Sequence, residues 1–541
     1  MAAVSRDLTV TRRPRAPLAL LVAWLAFYLL TASGRITPGD EETMFRVTES
    51  LATRARVDID REQTAIPVLP DGPGLLPSRD GPISSAIATT FAVPGADGRL
   101  YAWYGIGQSL VTLPLWVFGR LLALLVPALG EAYATRFAAS LLAPLVSAAA
   151  AWLVADAALA LDHRRGTALA LSATYGLATM AWPYAKSWFS EPALALLVLL
   201  AFDEALRARQ GEPAAVWRSA AALALALLFK FSTVLWWPAF ALAAAWPAAG
   251  RRARLAALLV ACALAVALTG AYNAARFGSP LVFGYDETTA WDQPLVAGLI
   301  GLLASPGKGL FLYNPPLLLG LGGLLLWLAP AGRRGLPAAV IGLLALPAIA
   351  FFATYSYWTG GWNWGPRFLL PLVPLLLLPA GALLEAAQRP TVRVAWVALL
   401  AAGLLVNLPA ILVEHSRYLV AASEQDPDFY RHTIWEPGAS PVAQQWAMVA
   451  EVGALWAEQR GDLERGLRRF GADRIGVVQR EEFLRWNAPD FWPVHWALLG
   501  YPLWLPIAGS AGALLALGGS LARLLAPGAG EPAPARATGA G

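Results

Sequence analysis

Long apolar runs separated by short polar gaps make up most of this chain. The pattern predicts twelve helical membrane spans, at about 17–32, 136–161, 167–182, 191–206, 218–229, 232–247, 255–272, 310–329, 336–353, 367–384, 394–412 and 500–524. A bilayer core needs roughly 20 apolar residues per helix. Several of these runs are shorter, which fits a membrane thinned on one side or polar residues lining a cavity. A long polar loop, about 33–135, follows the first span; its stretch 66–98 is rich in Pro, Gly and Asp and reads as irregular. The chain thus divides into a transmembrane core over 1–412, a polar segment over 413–499, a last span over 500–525 and a Pro/Ala/Gly tail over 526–541 that reads as disordered.

The gaps set the topology. Arg6, Arg12, Arg13 and Arg15 precede the first span and place the N-terminus in the cytoplasm, because cytoplasmic loops carry the excess of Lys and Arg. The run 104–129 is apolar enough to cross, but Pro114 interrupts it and Arg120 would sit deep in hydrocarbon. If it crossed, Asp162-His163-Arg164-Arg165 and the Arg207/Arg209 gap would fall outside. Kept as a surface or re-entrant helix, it leaves those gaps inside, together with Arg251-Arg252-Arg254, Arg333-Arg334 and 389–393. Both termini are then cytoplasmic, the N-terminal run is a retained anchor, and the 413–499 segment faces outward. Between 414 and 490 that segment carries 13 acidic and 9 basic residues, roughly twice the charge density of the whole chain.

Composition narrows the class. With 57% hydrophobic and 14% charged residues, the chain reads as an all-α polytopic protein of the plasma (inner) membrane. The net charge of +5 follows from basic inner loops, and the short Arg clusters between apolar helices argue against nucleic acid. One cysteine, Cys262, excludes an intrachain disulfide. The four His are scattered, no spacing resembles a metal site, and no cofactor is expected; a divalent metal is compatible but not demanded.

Of 41 Lys and Arg, only Lys186, Lys230 and Lys308 are lysines, and all three fall in gaps on the outer side of this topology. Arg276 and Arg367 map to the same side. Positive charge is expected inside, so the group reads as a clamp for a phosphate, with snorkelling to lipid headgroups as the plainer alternative for any one of them. Gly-rich flanks at Lys308 and Arg367 let a ligand approach the backbone. Asp40 and Glu41 follow the first span on that side and read as a general base for an acceptor hydroxyl. A local alternative makes Asp40 the cap of a helix over 41–51. Tyr355, Tyr357, Trp358, Trp362 and Trp364 crowd one outer loop, either as an interfacial belt or as surfaces for sugar rings.

A first span followed by Pro38-Gly39-Asp40-Glu41 resembles the C-type (GT-C) membrane glycosyltransferases, in particular the protein O-mannosyltransferase and aminoarabinose-transferase branch. Tyr104-Gly105-Ile106-Gly107-Gln108 with Pro114 resembles that family's loop-end segment, Arg136 the Arg opening the second span, and Glu191 the acidic residue at an outer helix end. Trp103 stands where the family usually carries Lys. The resemblance covers about 15–415 and implies a GT-C fold with surface helices in the first outer loop. It also implies a polyprenyl-phosphate sugar as donor, a glycan, lipid or protein as acceptor, and an inverting transfer at the outer face. The implied roles are Asp40 and Glu41 as catalytic carboxylates, with Lys186, Lys308, Arg367, Arg276 and Lys230 on the donor phosphate. Glu191, Tyr104 and Trp362 would contact acceptor or sugar. A lipid or solute transporter (a flippase) and a non-catalytic partner of an envelope complex are the alternatives. A transporter expects charges near the membrane midplane rather than at one face.

Overall fold

The computed structural model describes residues 14–37, 39–60, 91–246, 250–285, 290–329, 334–386, 390–469, 481 and 484–525. The expected disorder of 526–541, the basic residues Arg6, Arg12 and Arg13, the 66–90 part of the first loop, Arg333 and 389 lie outside the described residues. In chain order the helices are α1 (Leu18–Thr31), α2 (Asp40–Arg54), α3 (Gly107–Leu125), α4 (Glu131–Ser140), α5 (Leu142–Ala160), α6 (Arg165–Ala178), α7 (Ala181–Tyr184), α8 (Glu191–Arg209) and α9 (Pro213–Phe229). They continue as α10 (Trp237–Ala245), α11 (Arg251–Phe277), α12 (Leu295–Ala304), α13 (Leu310–Tyr313), α14 (Leu317–Leu328), α15 (Gly335–Thr354), α16 (Val373–Leu377), α17 (Ala380–Ala386), α18 (Pro390–Asn407) and α19 (Pro409–Leu412). The last are α20 (Arg417–Gln425), α21 (Phe429–Trp435), α22 (Pro441–Arg469), α23 (Trp492–Leu498) and α24 (Trp504–Leu525).

Among the described residues, seven helical stretches are long and apolar enough to cross a membrane: 107–125, 131–160, 251–277, 335–354, 367–386, 390–412 and 504–525. Five shorter apolar ones join them, including α1 and α12. The run that the topology keeps out of the spans is therefore a continuous 19-residue helix, α3, with Pro114 inside it. Its charge is met locally: Arg120 pairs with Glu131 at 3.0 Å and lies over the Trp116 ring. A Cβ on Gly119 would stand 2.5 Å from Thr135 Cα, so α3 and α4 touch backbone to backbone. Helix α12 is an addition that the apolar pattern did not predict, because it is only ten residues long.

The first outer loop contains a small antiparallel sheet, of which only the strand at 92–94 falls within the stretch that reads as irregular. Strands β1 (Asp58–Ile59), β2 (Ala92–Pro94) and β3 (Leu100–Ala102) lie in the order β1-β3-β2, with Val93 opposite Tyr101 and Asp58 also opposite Tyr101. Strands of two or three residues leave no alternation long enough to read from sequence. The sheet packs on α2 through Val47, Ile59 and Ala102.

Small residues hold the core together. Ala148, Ala150, Ala155, Ala157 and Ala158 of α5 are fully buried, and α5 packs on α1, α6 and α8. Short side chains let helix backbones approach where lipid supplies no hydrophobic drive between helices. Polar anchors do the rest. Asp156, fully buried in α5, accepts from Ala16 N at 2.6 Å, Arg15 Nη1 at 3.0 Å and Arg207 Nη2 at 2.7 Å. Arg207 Nε also reaches Asp203 at 2.9 Å. This network, at the C-terminal ends of α5 and α8, ties the start of α1 to both. Breaking such a pair by removing one partner typically costs about 3–5 kcal/mol.

Candidate active site

The three acids at the start of α2 go to three separate sets of partners. Gly39 is the N-cap, at φ +89°, where a side chain would be strained. The capping role considered for Asp40 does not hold: Asp40 is the first helical residue, and no side chain caps the helix. The Asp40 carboxylate turns away from the helix. Its Oδ1 accepts from the Tyr104 hydroxyl at 2.6 Å, and its Oδ2 pairs with Arg367 Nη1 at 2.7 Å. Glu41 accepts from two backbone amides, Thr37 N on Oε2 and Trp188 N on Oε1, each at 2.8 Å. It is 1% exposed. Burial outweighs the Thr37 bond and the nearby Arg35 and Arg485 charges and raises its carboxyl to about 7. Glu42 binds Arg136 Nη1 at 2.6 Å, and Arg136 continues to Glu481 and to Ile36 O. Arg136, read as the residue opening the second span, thus locks α2 against α4 and the C-terminal segment.

The cations occupy four different settings. Arg367 lies between two carboxylates, with its Nε 4.0 Å from Glu191 Oε1. Lys230 closes that side, 2.8 Å from Glu191 Oε1 and 4.3 Å from the centre of the Phe368 ring. Lys308 is buried and donates to two carbonyls, Gly361 O at 2.8 Å and Asn363 O at 2.7 Å. Among the described residues it makes no ion pair to a carboxylate. Burial first, and then the Arg367 charge, lower its ammonium to about 7. Those carbonyls belong to the Gly360–Pro366 loop, so Lys308 shapes the turn that delivers Arg367. Lys186 donates to Ile411 O at 2.5 Å and to the Asp490 carbonyl, and pairs with Asp490 Oδ2 at 3.1 Å. Burial lowers its ammonium, against the pull of Asp490. Arg276 stands behind the loop strand, bonding Ala102 O, Tyr104 O at 3.4 Å and Asn273 Oδ1 at 2.7 Å. It supports the backbone that carries Tyr104.

Asp40, Tyr104, Arg367, Glu191 and Lys230 are thus joined in one chain of contacts, with Lys308 beneath the loop that brings Arg367. Glu41, Lys186 and Trp362 line an adjoining cleft of about 400 Å³, mouth included. Phe189 is the shared wall: it lines the cleft, and the Arg367 guanidinium lies 4.7 Å from its ring centre. The cleft's far side was not read from sequence. It is built by Glu414, His415, Arg485 and Asp490 of the polar segment, opposite Arg35. Arg35 pairs with Asp490 at 3.0 Å and with Glu414. The doubled charge density of 414–490 was the one signal that could have found them. Among the described residues no group of three His, Cys, Asp or Glu is placed to hold a metal ion.

No protein-family model matches the chain, and no curated protein matches it. Among solved structures it is similar to ArnT from Cupriavidus metallidurans in the apo state, at 16% sequence identity and a TM-score of 0.43, over 89% of this chain and 75% of that one. It is also similar to that protein bound to undecaprenyl phosphate, at 16% identity and a TM-score of 0.42, over 92% of this chain and 76% of that one.

Proposed function

We propose that this chain is a membrane glycosyltransferase that moves a hexosyl or pentosyl group from a polyprenyl-phosphate donor to an acceptor hydroxyl at the extracytoplasmic face, with inversion. The observation that carries the reading is the meeting of Asp40 with Arg367, backed by Lys308, a buried ammonium held by two carbonyl oxygens. A base and an anion clamp in contact are what displacement of a phosphate from a sugar requires. The acceptor oxygen attacks the anomeric carbon and gives its proton to Asp40. The sugar–phosphate C–O bond breaks, and its electron pair leaves with the polyprenyl phosphate. Arg367 presents a planar fork to that phosphate. A phosphate seated there competes with Asp40 for the guanidinium and frees Oδ2 to receive the proton. Glu41, pinned by two backbone amides, sets the start of α2 and so the aim of Asp40.

The distribution of charge favours an enzyme over a transporter. Glu191 and Arg207 open and close α8, roughly 24 Å apart at 1.5 Å per residue. Each belongs to a separate buried charge cluster, so the clusters sit at the two ends of α8 rather than at its middle. The deciding experiment is transfer from a short-chain polyprenyl-phosphate hexose by the purified chain in liposomes. Release of polyprenyl phosphate that depends on Asp40 supports the reading. Movement of the intact donor across the bilayer without release would replace it with the transporter.

A further inference from the structure

Glu191 stands between two cations and bonds only one of them. Lys230 Nζ lies 2.8 Å from Glu191 Oε1, whereas Arg367 Nε lies 4.0 Å from the same oxygen. Arg367 Nε is buried and has no hydrogen-bond partner. Buried donors are nearly always paired in native structures, so an orphan beside a carboxylate calls for a cause. Glu191 is 2% exposed, and a shift of about 1 Å would bring its oxygen within hydrogen-bond range of Nε. Lys230 is what holds that oxygen back. The lysine is itself held from two sides. Its Nζ lies 4.3 Å from the centre of the Phe368 ring, on the residue after Arg367. Helix α9 stops at Phe229, and Lys230 is extended, at φ −153° and ψ 123°. Gly105 and Gly107 press on that helix end: a Cβ would stand 2.2 Å from Leu228 O at Gly105 and 2.8 Å from Phe229 N at Gly107. Those glycines follow Tyr104, whose hydroxyl holds Asp40. The contacts thus close a ring, from Asp40 through Tyr104, Lys230, Glu191 and Arg367 back to Asp40.

We infer that Lys230 is a positioning residue for Arg367: by engaging Glu191 it keeps that carboxylate off the guanidinium, so the Nε edge of Arg367 stays open for an oxygen of the donor phosphate while Nη1 faces Asp40. This rests on the glycosyltransferase reading. It replaces the direct phosphate contact expected of Lys230 and the sugar or acceptor contact expected of Glu191. The reason is competition for one fork. Carboxylates and phosphates seek the same guanidinium donors with the same planar geometry. Asp40 already takes the Nη1 end, and a second carboxylate on the Nε edge would leave the fork nothing to offer. Lys230 is a point charge on a flexible stem, so it can occupy Glu191 without taking the place of the guanidinium. Glu191 in turn supplies the negative charge that lets two cations share this end of α8.

The test is calorimetric binding of a short-chain polyprenyl phosphate to the purified full chain and its variants. Lys230→Met should weaken binding roughly 10-fold, the scale of one charge-assisted hydrogen bond lost to a competitor. Lys230→Arg, which keeps a cation on Glu191, should stay within about 3-fold of wild type. Glu191→Gln should stay within the same range. Lys230→Met combined with Glu191→Gln should return to it, because the competing carboxylate is gone. A double variant as weak as Lys230→Met alone overturns the inference and makes Lys230 a direct phosphate contact. Strictly additive effects around the cycle overturn it too, leaving only the field of two charges. Lys230→Ala carries the same expectations should Lys230→Met fail to fold. The geometry is read separately, in a cryo-electron-microscopy structure of the ligand-free Lys230→Met chain. There Glu191 Oε1 should close to about 3 Å from Arg367 Nε. A gap still at 4.0 Å overturns the positioning role. Unchanged polyprenyl phosphate binding in Arg367→Gln, with Glu191 closed on Arg367 in Lys230→Met, would sink the donor reading and leave the hold of Lys230 on Glu191 standing.

Discussion

Arg367 Nη1 and Asp40 Oδ2 stand 2.7 Å apart, a contact between the first turn of a loop helix and the end of a glycine-rich turn near the last core spans. Each residue has a second tie that limits its freedom. Tyr104 holds the other oxygen of Asp40, and Glu191 faces Arg367 Nε. The pair therefore joins the candidate base to the candidate phosphate site, and a ligand that binds one changes the partners of the other.

The two carboxylates should fail in different ways. Asp40→Asn is nearly isosteric and is expected to cut the transfer rate by about 10²-fold or more, the scale of a lost general base. Glu41→Gln turns an acceptor oxygen into an amide NH2 facing a backbone N–H. It should lower stability by about 1–3 kcal/mol, the cost of an unsatisfied buried group. Transfer assays beside thermal unfolding of the purified chain separate the two. Near-wild-type transfer by Asp40→Asn would leave the carboxylate a structural partner of Arg367.

Lys308→Met and Arg367→Gln should each weaken binding of a short-chain polyprenyl phosphate. Lys308 shapes the loop that carries Arg367, so the double variant should lose less than the sum of the single losses. Titration of all four proteins completes the cycle. Strict additivity would place the two cations on separate ligands.

Lys308 also predicts proton uptake. Its ammonium is lowered to about 7, so at pH 8 it is mostly neutral, and a phosphate nearby favours its charged form. Binding of polyprenyl phosphate at pH 8 should therefore take up close to one proton, and Lys308→Met should abolish the uptake. Calorimetry in two buffers of different ionisation enthalpy measures it. Equal heats in both would remove Lys308 from the phosphate. The stability effects have opposite signs. Between about 7 and 10.5 the unfolded chain binds more protons at Lys308, so its contribution to stability rises with pH. Between 4.5 and about 7 the folded chain binds more at Glu41, so that contribution falls as pH rises.

Asp490→Asn strips Lys186 and Arg35 of a shared counter-charge in a buried setting. It should destabilise the chain by about 3–5 kcal/mol, and Lys186→Met in the same protein should recover part of the loss. An unchanged melting temperature would mean that the C-terminal segment is not anchored through this pair.

Topology is open to a direct check. The native Cys262 is buried, and Cys262→Ala provides a clean background. Cysteines at Asp97 and Gly438, both exposed, should react with an impermeant thiol reagent on intact cells, and one at exposed Arg164 only after permeabilisation. Gly307 would be a poor site, since a Cβ there meets Thr433 O at 2.3 Å. The reverse labelling pattern would place the candidate site in the cytoplasm and remove the donor reading with it.

Most helices were legible in the apolar runs, because a membrane-length helix declares itself through local composition alone. The same local signal could not show how α3 is held, since it shows Arg120 without Glu131 and Pro114 without the backbone packing of Gly119 on α4. The chain by itself also marked the sparse lysines, the Asp40–Glu41 pair, Tyr104, Glu191 and Arg367 as chemistry. What it could not assign was partners. Four cations and three acids can pair in many ways, and the choice depends on which groups packing brings together and strips of water. Tertiary structure gave Asp40 to Arg367, Glu42 to Arg136 and Lys186 to Asp490, and left Lys308 among carbonyls. It also gave Glu191 to Lys230. Those distances are products of close-packed helix ends and of a three-stranded turn too short to carry a periodicity of its own.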